Sequence, residues 1–179
     1  MDSPDLTIRP VRPHEHEELA ELTVRVYREV LASELVEYSR VLRDVAGRIS
    51  HGCQVLVARQ AGRLAGGVTY VDRTGPLAQL VGMGEAELRM LAVDPALHGR
   101  GIGTALVQAG LELARSGGRE ALVLGTMPEM VAAHRLYWRL GFRRAPERDR
   151  LLDGGHPLLV YVADTGVGQG RRPDGPSSP

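Results

Sequence analysis

Gly99, Gly101 and Gly103 alternate with larger residues just before an apolar-periodic stretch, and glycines at that spacing leave a ligand room to approach the main chain. A helix starting there exposes several first-turn amides that have no intrahelical acceptor. Those amides and the helix dipole suit a diphosphate, each favourable charge contact contributing about 0.3–1 kcal/mol, and Arg100 adds a flexible cation. Two familiar nucleotide sites do not fit. A P-loop needs a lysine, and all 22 cationic side chains here are arginine. A dinucleotide fold needs a strand near the N-terminus and an acidic residue about 20 positions after the glycines; Gly125 and Thr126 stand there, and nearly half the chain precedes the loop.

Other reactive side chains are scattered. His134 lies three residues before Tyr137 on one helical surface, where a histidine is more often solvated or paired than catalytic. His51 and Cys53 have no third partner nearby and read as structural, and no cluster of ligands suits a metal. Met83 and Met90 read as core filler before pocket lining. Arg143, Arg144, Arg148 and Arg150, interleaved with Glu147 and Asp149, read as an ion-paired edge before a phosphate contact.

The elements that must position these residues follow from periodicity. Residues 6–9 alternate as a short strand that Pro10 and Pro13 stop. Leu19, Leu22, Val26 and Val30, then Leu35, Tyr38, Val41, Leu42 and Val45, predict two amphipathic helices on either side of Ser33. Residues 54–59 and 64–71 predict a hairpin turning on Ala61-Gly62. Gly75, Pro76, Gly82 and Gly84 make residues 74–85 a mobile loop before a strand over 88–93. Beyond the glycine loop come a helix ended by Gly117-Gly118, a buried strand over 121–124, a helix over 131–140 closed by Gly141, and a last strand over 158–162. Such alternation implies a mixed sheet covered by helices, an α/β or α+β layer fold. Residues 1–165 form one domain on this reading, and the Gly-, Pro-, Ser- and Arg-rich residues 166–179 a disordered tail.

Composition narrows the classes further. With 179 residues, 43% apolar and 25% charged, the chain suits one soluble domain with a full core. Acidic and basic residues balance at 22 each, so no overall field recruits nucleic acid or an anionic membrane. A lone cysteine points to a reducing cytoplasm, and the first ten residues lack the basic and apolar regions of a secretion signal.

His98-Gly-Arg-Gly-Ile-Gly103 resembles motif A of the GNAT N-acetyltransferase superfamily (Arg or Gln, two residues, Gly, any residue, Gly or Ala), departing only in its first position. Residues 132–142, with Leu136-Tyr137 and Leu140-Gly-Phe142, are similar to motif B, and the resemblance extends over about residues 6–162. It implies a mixed, mostly antiparallel central sheet flanked by helices, with acyl-CoA in the splay between the two central strands. The implied reaction moves an acetyl group from acetyl-CoA to a primary amine of a small molecule, peptide or protein, without metal or covalent enzyme intermediate. On that resemblance Leu91, Ala92 and Val93 hold the pantetheine arm through the main chain. His98, Gly99, Arg100, Gly101, Ile102, Gly103 and Thr104 hold the diphosphate. Many members reach the coenzyme arm with an asparagine where this chain has Met130, so that polar contact is either missing here or supplied by Thr126. Tyr137 protonates the coenzyme sulfur, and Glu87 is the general base, with Glu85 or a water chain as competitors. The N-terminal helices and the 74–85 loop are left for the acceptor. Homodimers are common among such proteins, and a non-catalytic acyl-CoA sensor is the rival reading.

Overall fold

The computed structural model describes residues 6–29, 35–152 and 155–167. Its sheet grows outward from the hairpin. Strands β2 (Gln54–Gln60) and β3 (Arg63–Val71) turn on Ala61 and Gly62, both at positive φ (48° and 75°), as a two-residue turn matching strand twist requires. β1 (Leu6–Pro10) pairs with the outer edge of β2. On the other side β3 pairs antiparallel with β4 (Glu85–Val93), and β4 pairs parallel with β5 (Ala121–Thr126). β8 (Pro157–Asp164) then lies antiparallel to β5, with the two-residue strands β6 (Arg143–Arg144) and β7 (Arg150–Leu151) against it. The order is β1-β2-β3-β4-β5-β8-β6, and β4–β5 is the one parallel pair among the described residues. The expected mixed, mostly antiparallel sheet is the observed one.

A parallel pair requires a crossover. Helix α4 (Ile102–Ser116) supplies it, burying Ile102, Leu106, Val107 and Leu111 against β3 and β4 in the largest core cluster. Helix α5 (Val131–Arg139) adds Leu136 and Tyr137 to that cluster. The opposite face is covered by α1 (His16–Arg28), α2 (Leu35–Arg43) and α3 (Val45–Ser50). The apolar run to Val45 predicts one helix where the chain forms two. Asp44 leaves helical geometry, and its carboxylate accepts the Gly47 amide at 2.8 Å, capping α3. Val30, Ser33 and the tail beyond Val167 lie outside the described residues.

The loop before β4 differs from the expectation of mobility. Leu80 is buried, the amides of Gln79 and Leu80 donate to Glu87 at 2.8 and 3.0 Å, and Arg148 donates to the Leu80 carbonyl at 2.7 Å. Breaker residues mark the lack of regular structure but not the tertiary hydrogen bonds that hold it.

The two central strands separate midway. β4 pairs with β5 only as far as Leu88 opposite Leu124, whereas its pairing with β3 continues to Val93 opposite Gly66. Between Gly67 and Thr69 the register shifts by one residue, and Met90 there has φ of 54°. An extra residue bends a strand and increases its twist. Such a conformation costs on the order of 1–3 kcal/mol outside glycine; the Met90 side chain is buried with Val24 and Leu42, which offsets it. Met90 is therefore core, as its residue type suggests, while Met83 is fully exposed.

Candidate active site

Beyond Leu88 one edge of β4, residues 89–93, has no strand partner among the described residues, and Leu91, Ala92 and Val93 lie along it. The chain then makes a short helical turn, Pro95–Leu97, capped by Asp94, and enters the glycine loop. Gly99 and Gly101 both have φ of 78°, and a Cβ built on either meets nothing within 4 Å. Their lack of a side chain serves the backbone conformation and the space outside it. Gly101 is the N-cap of α4 and offers no side-chain cap, so the first helical amides, through Thr104, face outward unsatisfied by the helix. His98, Gly99, Arg100 and Gly101 are exposed, and His98 Nε2 lies 3.3 Å from the Val93 carbonyl. Ile102 instead points into the core. Gly103 serves packing: a Cβ there would sit 3.3 Å from Leu136 Cδ2, so α5 closes directly against the start of α4.

Tyr137 is brought to this junction by the end of its helix. The Phe142 amide donates to the Tyr137 carbonyl at 3.0 Å and the Gly141 amide to that of Trp138 at 3.1 Å, with Gly141 at φ 85°. Those two bonds form a Schellman cap, which explains the Leu-Gly-Phe letters physically. The cap folds Phe142 back so that its ring lies 5.8 Å from that of Tyr137, with Tyr161 of β8 at 5.9 Å on another side. Burial pushes the Tyr137 phenol well above its ordinary value, and neighbouring Tyr161 adds to the effect. Such a group keeps its proton until a strong base arrives.

Glu87 is not at a solvated strand end. It is the third residue of β4, 1% exposed, and Oε2 accepts the two loop amides while Oε1 stands 3.7 Å from Arg89 Nε. Burial raises its pKa, and the Leu80 and Gln79 amides and Arg89 oppose that rise without cancelling it. Glu85 is committed elsewhere: burial tends to raise it, but a double hydrogen bond from Arg148 at 2.8 Å brings its pKa below the ordinary value. Thr126, 2% exposed, donates to Met130 Sδ at 3.4 Å. His134 is paired, its Nε2 3.0 Å from the Met127 carbonyl and its ring 5.6 Å from Tyr161. Cys53 is a buried free thiol, and Arg144 forms the ion pair expected of that edge with Asp149 at 2.6 Å.

Spacing alone did not single out Arg48 and Arg89, two buried cations on the sheet face covered by α1, α2 and α3. The only signal in the letters is an arginine at an inward position of a strand and another on a six-residue helix.

The fold is shared with solved acetyltransferases. The PaiA N-acetyltransferase of Thermoplasma acidophilum, solved in complex with coenzyme A, superposes with a TM-score of 0.68 over 89% of this chain and 98% of that one at 17% identity. The model of the "Acetyltransferase (GNAT) family" matches residues 16–142, and the chain belongs to that family. Among curated relatives, N-acetylaspartate synthetase of Danio rerio is 44% identical over 63 residues, 35% of this chain and 22% of that protein. The N-alpha-acetyltransferase RimI of Mycobacterium tuberculosis is 37% identical over 95 residues, 52% of this chain and 54% of that protein. The matched stretch thus spans about half the length of these relatives or less.

Proposed function

We propose that residues 1–165 form one catalytic unit that transfers an acetyl group from acetyl-CoA to a primary amine, in a reducing cytoplasm. The observation that carries this reading is the parting of β4 from β5 after Leu88, on the strand that leads into the uncapped amides of α4, with Tyr137 buried in the core cluster that α4 and α5 share. The open space at Gly99 and Gly101 fits a diphosphate resting on the main chain. The unpaired edge of Leu91, Ala92 and Val93 suits an extended amide-bearing arm, which would pair there as an added strand. An amide on that edge can also polarise the thioester carbonyl.

In the reaction the neutral amine nitrogen attacks the thioester carbon, and the carbon–sulfur bond breaks as the tetrahedral adduct collapses. Tyr137 donates its proton to the departing sulfur and recovers one from solvent. The nitrogen loses its extra proton to Glu87 through water, since one Glu87 oxygen already accepts two amides. Burial makes Glu87 a better base than an ordinary carboxylate. Thr126 would need to turn from Met130 to meet the arm. Names of the relatives offer two acceptor classes, a free amino acid and a protein N-terminus.

Amine-dependent release of coenzyme thiol is the test. Tyr137→Phe should lower kcat by about 10²-fold or more while acetyl-CoA affinity stays within about twofold. Saturable acetyl-CoA binding with no thiol release for any amine would replace this reading by a non-catalytic sensor.

A further inference from the structure

The sheet face opposite α4 buries more positive charge than the described carboxylates balance. Arg48, on α3 and 2% exposed, donates from Nη1 to Thr69 Oγ1 at 3.0 Å and from Nη2 to the Leu42 carbonyl. Its Nε is buried with no hydrogen-bond partner, and among the described residues no carboxylate forms an ion pair with it. The end of α3 holds it there: the Cys53 amide donates to the Arg48 carbonyl at 3.0 Å, with Gly52 at φ 83°. Arg89 stands across the strand pair from Thr69, so the two guanidinium groups share one side of β3 and β4. Arg89 donates to the Leu77 carbonyl, and its nearest acid, Glu87, stays 3.7 Å away with one oxygen already engaged. Asp44 is exposed and caps its own helix.

A guanidinium taken from water without a carboxylate is unfavourable, because protein carbonyls and hydroxyls replace hydration only in part. Its planar donors match a carboxylate from outside the chain. Tyr27 and Tyr38 pack over the same face, ring centroids 6.2 Å apart, in the cluster containing Met90. Burial raises the Tyr27 hydroxyl pKa, with Tyr38 and Tyr137 adding to the rise and Arg89 and Arg48 opposing it. We propose that Arg48 and Arg89 bind a carboxylate carried by the amine acceptor, so that the acceptor is a small amino acid rather than a polyamine, a lysine side chain or an uncharged amine. This rests on the acetyl-transfer reading above and chooses within it. The same positive field favours the unprotonated, nucleophilic form of the amine.

The test is thiol release by the full-length protein with aspartate and glutamate, their diamides, spermidine and an alanine-terminated peptide amide. Aspartate or glutamate should exceed its diamide by about tenfold or more in kcat/KM. Arg89→Gln and Arg48→Lys should raise KM for the carboxylate-bearing amine by about tenfold or more while KM for its diamide and acetyl-CoA affinity stay within about twofold. Should Arg48→Lys fail to fold, the wild-type panel and Arg89→Gln decide. Equal or better use of the diamides, spermidine or the peptide overturns the carboxylate assignment and leaves acetyl transfer standing. So does an Arg89→Gln variant that weakens every amine by one factor. Absence of saturable acetyl-CoA affinity overturns the transfer reading and this assignment with it.

Discussion

Glu15 shows how much of this fold hangs on single buried charges. It is 2% exposed and accepts from Arg9 at 2.7 and 2.8 Å, from the Arg12 amide at 2.9 Å and from Arg59 at 3.3 Å, tying β1, β2 and the entry to α1 together. The Arg9 hydrogen bonds, against the opposing effect of burial and aided by the Arg12 amide, lower its pKa to about 2. A depressed carboxylate stabilises the folded state above its unfolded pKa, near 4.3, and that contribution disappears as pH falls from there toward about 2. Glu15→Gln should therefore cost about 2 kcal/mol in denaturant unfolding at pH 7 and less at pH 3. An equal loss at both pH values would mean that packing, not charge, is the contribution. Tyr137 and Glu87 carry shifts of the opposite sense, both upward through burial, and both belong to groups proposed to move protons.

At the scale of elements, glycine-closed helix ends recur and do functional positioning. The ends of α3, α4 and α5 are closed by Gly52, Gly118 and Gly141, at φ of 83°, 69° and 85°, with the following amide reaching back to Arg48, Ala114 and Tyr137 in turn. The first and last of these fix a residue proposed to meet substrate. The start of α4 works differently: Gly101 at φ 78° leaves amides free rather than satisfying carbonyls. Gly101→Ala meets no atom yet must hold a left-handed conformation, so it should lose about 1–2 kcal/mol of stability or shift the loop. Calorimetric titration with coenzyme A should show weaker binding than wild type. Affinity unchanged by this substitution would place the phosphates elsewhere.

Across the whole molecule, two faces of one sheet have separate tasks. One face carries α4, α5 and the main core cluster, and the other carries α1, α2, α3 and the buried arginines. The core on the α4 side sets how far the central strands can part, because α4 packs on β3 and β4 while Tyr137 packs on Tyr161 of β8. Leu106, fully buried in that cluster, should cost about 2–5 kcal/mol when replaced by alanine. Urea unfolding followed by tryptophan fluorescence and circular dichroism measures this, and coincident transitions would indicate that both faces unfold as one unit. Separate transitions would divide them.

Local order, turn chemistry and both motifs were legible because each depends on neighbours in the chain. The Ala61-Gly62 hairpin, the glycine entry to α4 and the Leu-Gly-Phe exit from α5 all stand where their letters place them. The resemblance carried by the motifs also pointed correctly to the family and its mixed sheet. Tertiary contacts decided the rest. Asp44 broke a helix whose apolar pattern runs on, and Glu87 became a buried anchor because a loop seven and eight residues upstream folds onto it. Arg48 and Arg89 are 41 positions apart, and only the pairing of β3 with β4 sets them side by side. Periodicity reports which way a side chain faces; what it meets there is settled by chain segments that local pattern cannot connect.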